Sequence, residues 1–151
     1  MKKWFTGSIL IPTNIEQVAK KVNALDQHFV EVTKLYPGLY SVELLEVGDD
    51  FVTIKTNEGT MERTNVVISQ DKESYTIEFD ELYGNKLVNV NSHYSFTFHE
   101  EDGGVKLNCT ITNVSTTGFL GLIYKLFSRN NIGNAMLKSY QKLFELWWTL
   151  N

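Results

Sequence analysis

Few residues in this chain have the types and spacing that catalysis or metal binding requires. His93 and His99 fall on one predicted strand, roughly 20 Å apart at about 3.3 Å per residue, which is too far to share a metal ion. His28 has no acidic or thiol partner at ligand spacing. No Ser-His-Asp order, Gly-rich phosphate loop or zinc-ligand spacing is recognisable. The sequence therefore predicts no catalytic residue, no metal and no cofactor.

Arg63 is the candidate for a charged anchor in a binding site. Its guanidinium offers several donors in a fixed fork, so an inward-facing Arg63 would hold a carboxylate or a polarised oxygen. The polar and apolar residues around it do not alternate regularly, so its face of the strand is unreadable. A surface arginine beside Glu62 is the competing interpretation.

Composition and charge exclude several classes of protein. The chain has 151 residues, 42% hydrophobic and 21% charged, which is typical of one globular domain spanning residues 1–151. Its net charge is −4 and no Lys/Arg cluster is present, so we expect no nucleic-acid partner. The single Cys109 excludes an internal disulfide and fits a reducing compartment. The apolar run at 7–11 is too short for a signal peptide or a membrane span. We expect a cytoplasmic protein without stable membrane insertion, a monomer or a weak dimer.

The order of elements follows from the hydrophobic periodicity. Residues 3–11 read as a strand, and two short helical segments follow, ending near 25 and at 35. From residue 39 the period changes to two, and the last part of the chain returns to helical spacing. The candidate strands are 39–47, 51–57, 60–70, 74–82, 86–100 and 104–115, and the closing helical segment is 118–149. The breaks between strands are short, which favours an antiparallel meander.

Alternation along the later strands predicts a sheet that is covered on one face. Tyr75, Ile77 and Phe79 alternate with polar residues, as do the apolar residues of 86–100 and 104–115. The strands at 51–57 and 60–70 do not alternate cleanly.

The closing helix carries two apolar stripes separated by poor helix formers at 128–134, so either the helix is kinked or two helices meet there. The stripes are Phe119, Leu122, Ile123, Leu126 and Phe127, then Met136, Leu137, Tyr140, Leu143, Phe144, Trp147 and Trp148.

This order resembles the helix-grip fold of the START-like superfamily, also called SRPBCC, and within it the polyketide cyclase/dehydrase and lipid-transport group. The local cues are a strand ending in Ile11-Pro12-Thr13, the Leu35-Tyr36-Pro37-Gly38 segment, and a closing helix rich in Leu and aromatics. The resemblance covers nearly the whole chain. It implies an α+β protein in which a seven-stranded curved antiparallel sheet wraps around a long C-terminal helix, with two short helices after strand 1.

In that family the apolar face of the sheet and the long helix enclose a cavity for a hydrophobic molecule. The resemblance and the inward aromatics together give a predicted cavity lining: Tyr36, Tyr40, Arg63, Tyr75, Phe79, Tyr94, Phe96, Phe119, Ile123, Phe127, Met136 and Tyr140. Simple core packing is the competing interpretation for the aromatics. The residues at 119–127 could instead form a gate or touch a membrane, against ordinary burial on the sheet.

Three functional hypotheses follow. The leading one is a binding protein for a hydrophobic small molecule such as a lipid, an isoprenoid quinone or a polyketide-like aromatic, driven by burial of apolar surface. The second is a cyclase/dehydratase-type enzyme, which needs an ionisable side chain inside the cavity. The third is a protein-interaction module with a collapsed cavity, which predicts a filled interior and an exposed apolar patch.

Overall fold

The computed structural model describes residues 2–150 of the chain, with side chains up to residue 145. Within that range one seven-stranded antiparallel sheet accompanies four helices. The elements are β1 (Lys3–Ile11), α1 (Ile15–Val22), α2 (Leu25–Lys34), β2 (Val42–Val47), β3 (Val52–Thr56), β4 (Thr60–Gln70), β5 (Ser74–Gly84), β6 (Asn89–Glu101), β7 (Gly104–Thr116), α3 (Gly118–Phe127) and α4 (Arg129–Leu150).

The strands follow the predicted meander. Their order across the sheet is β1-β7-β6-β5-β4-β3-β2, and every neighbouring pair is antiparallel. The first strand of the chain pairs with the last, so it forms the edge opposite β2. The α+β helix-grip architecture expected from the sequence is confirmed. No helix within residues 2–150 has both the length and the hydropathy to cross a bilayer.

The main core lies between the apolar face of the sheet and α4. Tyr75, Ile77 and Phe79 of β5 are buried, as their alternation predicts. From α4 the buried apolar residues are Met136, Leu137, Tyr140, Leu143 and Phe144. The predicted places of Trp147 and Trp148 in this stripe fall outside the described side chains.

The closing helical segment is two helices rather than one. α3 ends at Phe127, and Ser128 closes it by donating its backbone N–H to the Tyr124 carbonyl at 3.0 Å. α4 then begins at Arg129, so the run of poor helix formers at 129–134 is helical despite its low propensity. Packing against β1 supplies the stabilisation that propensity lacks.

That packing is close because of glycine. A Cβ atom built on Gly133 would lie 2.4 Å from ring atoms of Phe5, and one built on Gly7 would lie 2.8 Å from the same ring. The Phe5 ring therefore occupies space that only glycine leaves open on α4 and on β1. This contact brings the first turns of α4 down onto the sheet and positions Ile132 and Met136 beside the site described next.

Candidate functional site

A cavity of about 220 Å³ lies where the end of the sheet meets the helices. Its walls come from the segment after α2, from β4, β5 and β6, and from both C-terminal helices. The lining residues are Tyr36, Pro37, Leu39, Glu58, Met61, Arg63, Glu81, Tyr83, Tyr94, Tyr124, Ile132 and Met136. The hypothesis of a protein-interaction module with a collapsed cavity requires a filled interior. At this end of the molecule the interior is open.

Aromatic rings pack against one another between the sheet and α4. The rings of Phe96 and Tyr140 lie 4.8 Å apart, and the rings of Phe98 and Phe144 lie 6.1 Å apart. All four residues are fully buried, as in a close-packed core. The cavity described above lies beside this aromatic cluster, towards one end of the sheet.

Arg63 and Glu81 form a buried ion pair in the cavity wall. They occupy directly opposite positions on β4 and β5, and Arg63 Nε donates to Glu81 Oε2 at 3.0 Å. Arg63 is 2% exposed. Its guanidinium carbon lies 4.7 Å from the ring centroid of Phe29 and 4.8 Å from that of Phe79, so aromatic faces replace part of its hydration. The alternative interpretation of Arg63 as a surface residue is wrong.

A bulge explains why the face of Arg63 was unreadable. The register of β4 against β5 shifts between Thr64 and Val67, and Asn65 has a left-handed φ of 53°. Before the bulge odd-numbered residues such as Arg63 point inward, whereas after it the partly buried Val66 does. A β-bulge changes which parity faces the core. Asn is among the few residues that tolerate positive φ, which is the only trace of the bulge in the sequence.

Four tyrosines complete the polar part of the wall, namely Tyr36, Tyr83, Tyr94 and Tyr124. Burial and the nearby Glu81 carboxylate raise the pKa of Tyr36 to about 12. The same two causes lead the upward shift in the pKa of Tyr94. These phenols therefore keep their protons at neutral pH and can donate hydrogen bonds. Among the described residues, the Tyr94 hydroxyl has no hydrogen-bond partner, although Tyr94 is only 4% exposed.

The structure divides the twelve residues predicted to line a cavity into three groups. Tyr36, Arg63, Tyr94 and Met136 line the cavity. Tyr75, Phe79, Phe96 and Tyr140 are buried in the filled core instead. Tyr40, Phe119, Ile123 and Phe127 lie on the surface, with Tyr40 88% exposed. The cavity is therefore displaced from the middle of the sheet towards one end.

Eight lining residues were missed, and some carried a readable signal. Glu81 and Tyr83 continue the inward parity of Tyr75, Ile77 and Phe79 along β5, so extending that alternation would have placed both inside. Tyr124 lies on the same helical face as Gly121, the buried position of α3. Met61 lies on β4 two residues before Arg63, so the bulge that hid the face of Arg63 hid that of Met61 as well. The others belong to turns or to α4 and have no periodic signature: Pro37, Leu39, Glu58 and Ile132.

A second buried polar pair lies outside the cavity lining. His28 Nε2 and the Tyr140 hydroxyl are 2.8 Å apart, and both residues are fully buried. Burial, with a further contribution from Arg63, lowers the pKa of His28 to about 3, so the imidazole is neutral at physiological pH. Its Nδ1 has no partner among the described residues. This pair is not predictable from residue spacing, since the partners are 112 positions apart.

A curved antiparallel sheet packed around a C-terminal helix is the START-like fold. Solved structures with this fold include a conserved protein from Geobacillus kaustophilus, 18% identical, with a TM-score of 0.60 over 93% of both chains. A STAR-related lipid transfer protein from Xanthomonas axonopodis is 11% identical, with a TM-score of 0.55 over 93% of this chain and 82% of that one. Human StAR-related lipid transfer protein 5 is 12% identical, with a TM-score of 0.54 over 94% and 75%. No protein-family model and no curated protein matches the sequence.

Proposed function

We propose that this protein binds a neutral, compact apolar molecule that carries an oxygen function, in the cavity beside Arg63 and Glu81. The observation that carries the proposal is the combination of this cavity with a phenol wall and a buried ion pair. Apolar ligand surface would supply the driving force at roughly 25 cal/mol per Å² removed from water. The phenols, Tyr94 above all, would orient the ligand through its oxygen.

Charge favours a neutral ligand. Arg63 is already paired with Glu81, and Glu58 is a second carboxylate among the lining residues. A carboxylate ligand would therefore meet two like charges and one shared guanidinium, and burying it there carries a large desolvation penalty. A carbonyl or hydroxyl oxygen would accept from a phenol without that penalty. Quinone and polyketide carbonyls and lipid hydroxyls all meet this requirement.

Volume limits the size of the ligand. The cavity of about 220 Å³ exceeds the roughly 150 Å³ that holds benzene in an engineered core, and is below the 300 Å³ where drug-sized pockets begin. A bicyclic ring system, or the polar end of a longer molecule, fits that range. Met61 and Met136 are unbranched lining residues whose side chains can adapt to the shape of a guest.

Native mass spectrometry of protein purified from its host gives the first test, because a bound molecule adds a defined mass that denaturation removes. Fluorescence titration with 2-naphthol and 2-naphthoate, which share one ring system, then tests the charge argument. We expect 2-naphthol to bind and 2-naphthoate to bind at least about tenfold more weakly. Absence of both a co-purified molecule and 2-naphthol binding would refute the proposal.

A second candidate is a cyclase/dehydratase-type enzyme. One observation favours it, since both Arg63 and Glu81 are ionisable and line the cavity. Incubation of the co-purified molecule with fresh protein distinguishes the two functions. An enzyme would change the mass of the molecule, for example by loss of water, whereas a binding protein would return it unchanged.

A further inference from the structure

The helix α3 exposes an unusual amount of apolar surface. Phe119 is 76% exposed and Phe127 is 75% exposed, although both were expected to be buried against the sheet. The exposed large apolar residues of this helix are Phe119, Leu120, Leu122, Ile123, Leu126 and Phe127. Contiguous apolar patches of this kind on soluble proteins mark interaction sites.

The same part of the chain is basic although the protein is acidic. Residues 103–144 contain five Lys and Arg residues and no Asp or Glu, whereas the other nine basic residues and all 18 acidic residues lie elsewhere. Lys125 lies within α3, and Arg129 follows it at the start of α4. Lys3 of β1 lines a shallow surface depression together with Arg129. The apolar helix is therefore bordered by positive charge.

Aromatic residues anchor α3 at this border. Trp4 donates its indole N–H to the Lys125 carbonyl at 2.8 Å, and its ring stacks on Tyr124 at 6.0 Å between centroids. Tyr124 is also a lining residue of the cavity. The inner side of α3 thus closes the cavity, while its outer side carries the apolar patch.

The turn between β5 and β6 leads into the strand end that contacts the start of α3. The backbone N–H of Thr117, just before α3, donates at 3.3 Å to the carbonyl of Asn89, the first residue of β6. In that turn Leu87 is 71% exposed and follows Lys86. Among the described residues that line the cavity, the acidic ones are Glu58 and the paired Glu81.

We propose that α3 docks onto the surface of a lipid bilayer that contains anionic lipids. The apolar side chains of α3 would enter the boundary between head groups and acyl chains, and Lys125, Arg129 and Lys3 would contact lipid phosphates. The cavity, whose wall α3 forms, would then face the membrane. This docking goes beyond ligand binding and does not require the cavity to be occupied.

Charge and chemistry favour a bilayer over a second copy of the chain. A two-fold dimer through α3 would bring two sets of Lys125 and Arg129 into one interface. The exposed side of α3 also presents few polar groups that would fix the orientation of a protein partner. Binding to a bilayer needs no such directional contacts, since it depends on insertion of apolar side chains and on attraction between basic residues and anionic lipids.

The test is flotation of the full chain with vesicles. Two compositions are compared: phosphatidylcholine alone, and equimolar phosphatidylcholine and phosphatidylglycerol. We expect flotation with the mixed vesicles that weakens with salt, and a loss of about tenfold or more in partitioning for Phe119→Ser/Phe127→Ser. Leu10→Ser/Val67→Ser removes two apolar residues that are 50% and 60% exposed elsewhere on the protein, and should float as the wild type does.

A charge variant isolates the electrostatic part. Lys125→Gln/Arg129→Gln should weaken flotation with the mixed vesicles and leave any binding to phosphatidylcholine alone unchanged. Failure of the wild type to float with either composition overturns the proposal. So does a dimer in analytical ultracentrifugation that Phe119→Ser/Phe127→Ser dissociates, because α3 would then be an interface between copies. Phe119→Ser/Phe127→Ser alters residues outside the cavity lining, so this variant should still bind 2-naphthol. Its binding of 2-naphthol therefore separates failure of membrane docking from failure of ligand binding.

Discussion

Arg63 Nε donates to Glu81 Oε2 over 3.0 Å, across directly opposite positions of β4 and β5. The two residues are 2% and 8% exposed, so the pair is removed from water in the wall of a largely apolar cavity. A buried ion pair of this kind rarely stabilises a fold beyond what apolar residues would achieve. Its presence at the cavity therefore fits a role in organising the site.

Breaking this pair from one side should be more damaging than removing it entirely. Arg63→Met leaves the Glu81 carboxylate buried and unpaired, which is expected to lower the free energy of unfolding by about 3–5 kcal/mol. Arg63→Met/Glu81→Leu should recover most of that loss because no buried charge remains. Urea unfolding of the wild type, both single variants and the double variant completes a double-mutant cycle. Additive losses would show that the two side chains are not energetically coupled.

The Tyr94 hydroxyl is the predicted contact to the ligand oxygen. Tyr94→Phe keeps the ring, which stacks on Phe79 at 5.3 Å, and removes only the phenol. One neutral hydrogen bond contributes about 0.5–1.5 kcal/mol, so the Kd of 2-naphthol should rise by roughly twofold to thirteenfold.

Tyr75→Phe is the matched control for this experiment. The Tyr75 phenol donates to Asn23 Oδ1 at 2.7 Å, and Tyr75 is not among the lining residues. Its loss should leave the affinity for 2-naphthol unchanged. Equal effects of the two substitutions would mean that Tyr94 does not orient the ligand.

The fold was predictable because apolar and polar residues alternate along every strand that has no irregularity. Tyr75, Ile77 and Phe79 alternate without interruption, and their burial follows directly. The face of Arg63 was not predictable, since the bulge at Asn65 shifts the parity within a single strand. A bulge leaves almost no trace in the residue types. Alternation of polar and apolar residues therefore does not predict which face of the strand carries a side chain next to a bulge.

The position of the cavity was harder to predict than its existence. An amphipathic pattern indicates which residues face the core. It does not indicate which of them pack against other side chains and which border a cavity. Phe96 and Tyr140 both face inward and fill the space between them, whereas Tyr94 borders the cavity. The apolar stripe of α3 indicated burial, yet Phe119 and Phe127 are exposed, because a helix-length pattern does not specify whether anything covers it.

Gly133→Ala should destabilise the protein, against the usual trend. Within a helix this substitution normally stabilises by up to about 1 kcal/mol. Here the added methyl would lie 2.4 Å from the Phe5 ring, so α4 or β1 must shift, at a cost of about 1–3 kcal/mol. Thermal unfolding measures the result, and Asn134→Ala, at an exposed position of α4, is the control that should not destabilise. Phe5→Leu/Gly133→Ala should recover part of the loss, because a smaller side chain relieves the overlap.

The buried His28 predicts a specific dependence of stability on pH. Its pKa is lowered from 6.5 to about 3 in the folded protein, first by burial and then by Arg63 and Lys21. Between these values the unfolded chain binds a proton that the folded chain does not. Stability is therefore complete above pH 6.5 and falls as the pH drops towards 3, with a slope from this residue of up to about 1.4 kcal/mol per pH unit.

Carboxylates also titrate in acid, so the contribution of His28 must be taken as a difference. His28→Gln keeps a polar side chain near the Tyr140 hydroxyl and cannot gain a proton, so its free energy of unfolding should fall less steeply below pH 6.5 than that of the wild type. Tyr140→Phe removes the 2.8 Å hydrogen bond but leaves the imidazole buried, so it should be less stable and keep the steep slope. Urea unfolding across this range measures all three proteins. Parallel curves for the wild type and His28→Gln would show that the imidazole is accessible to protons in the folded state.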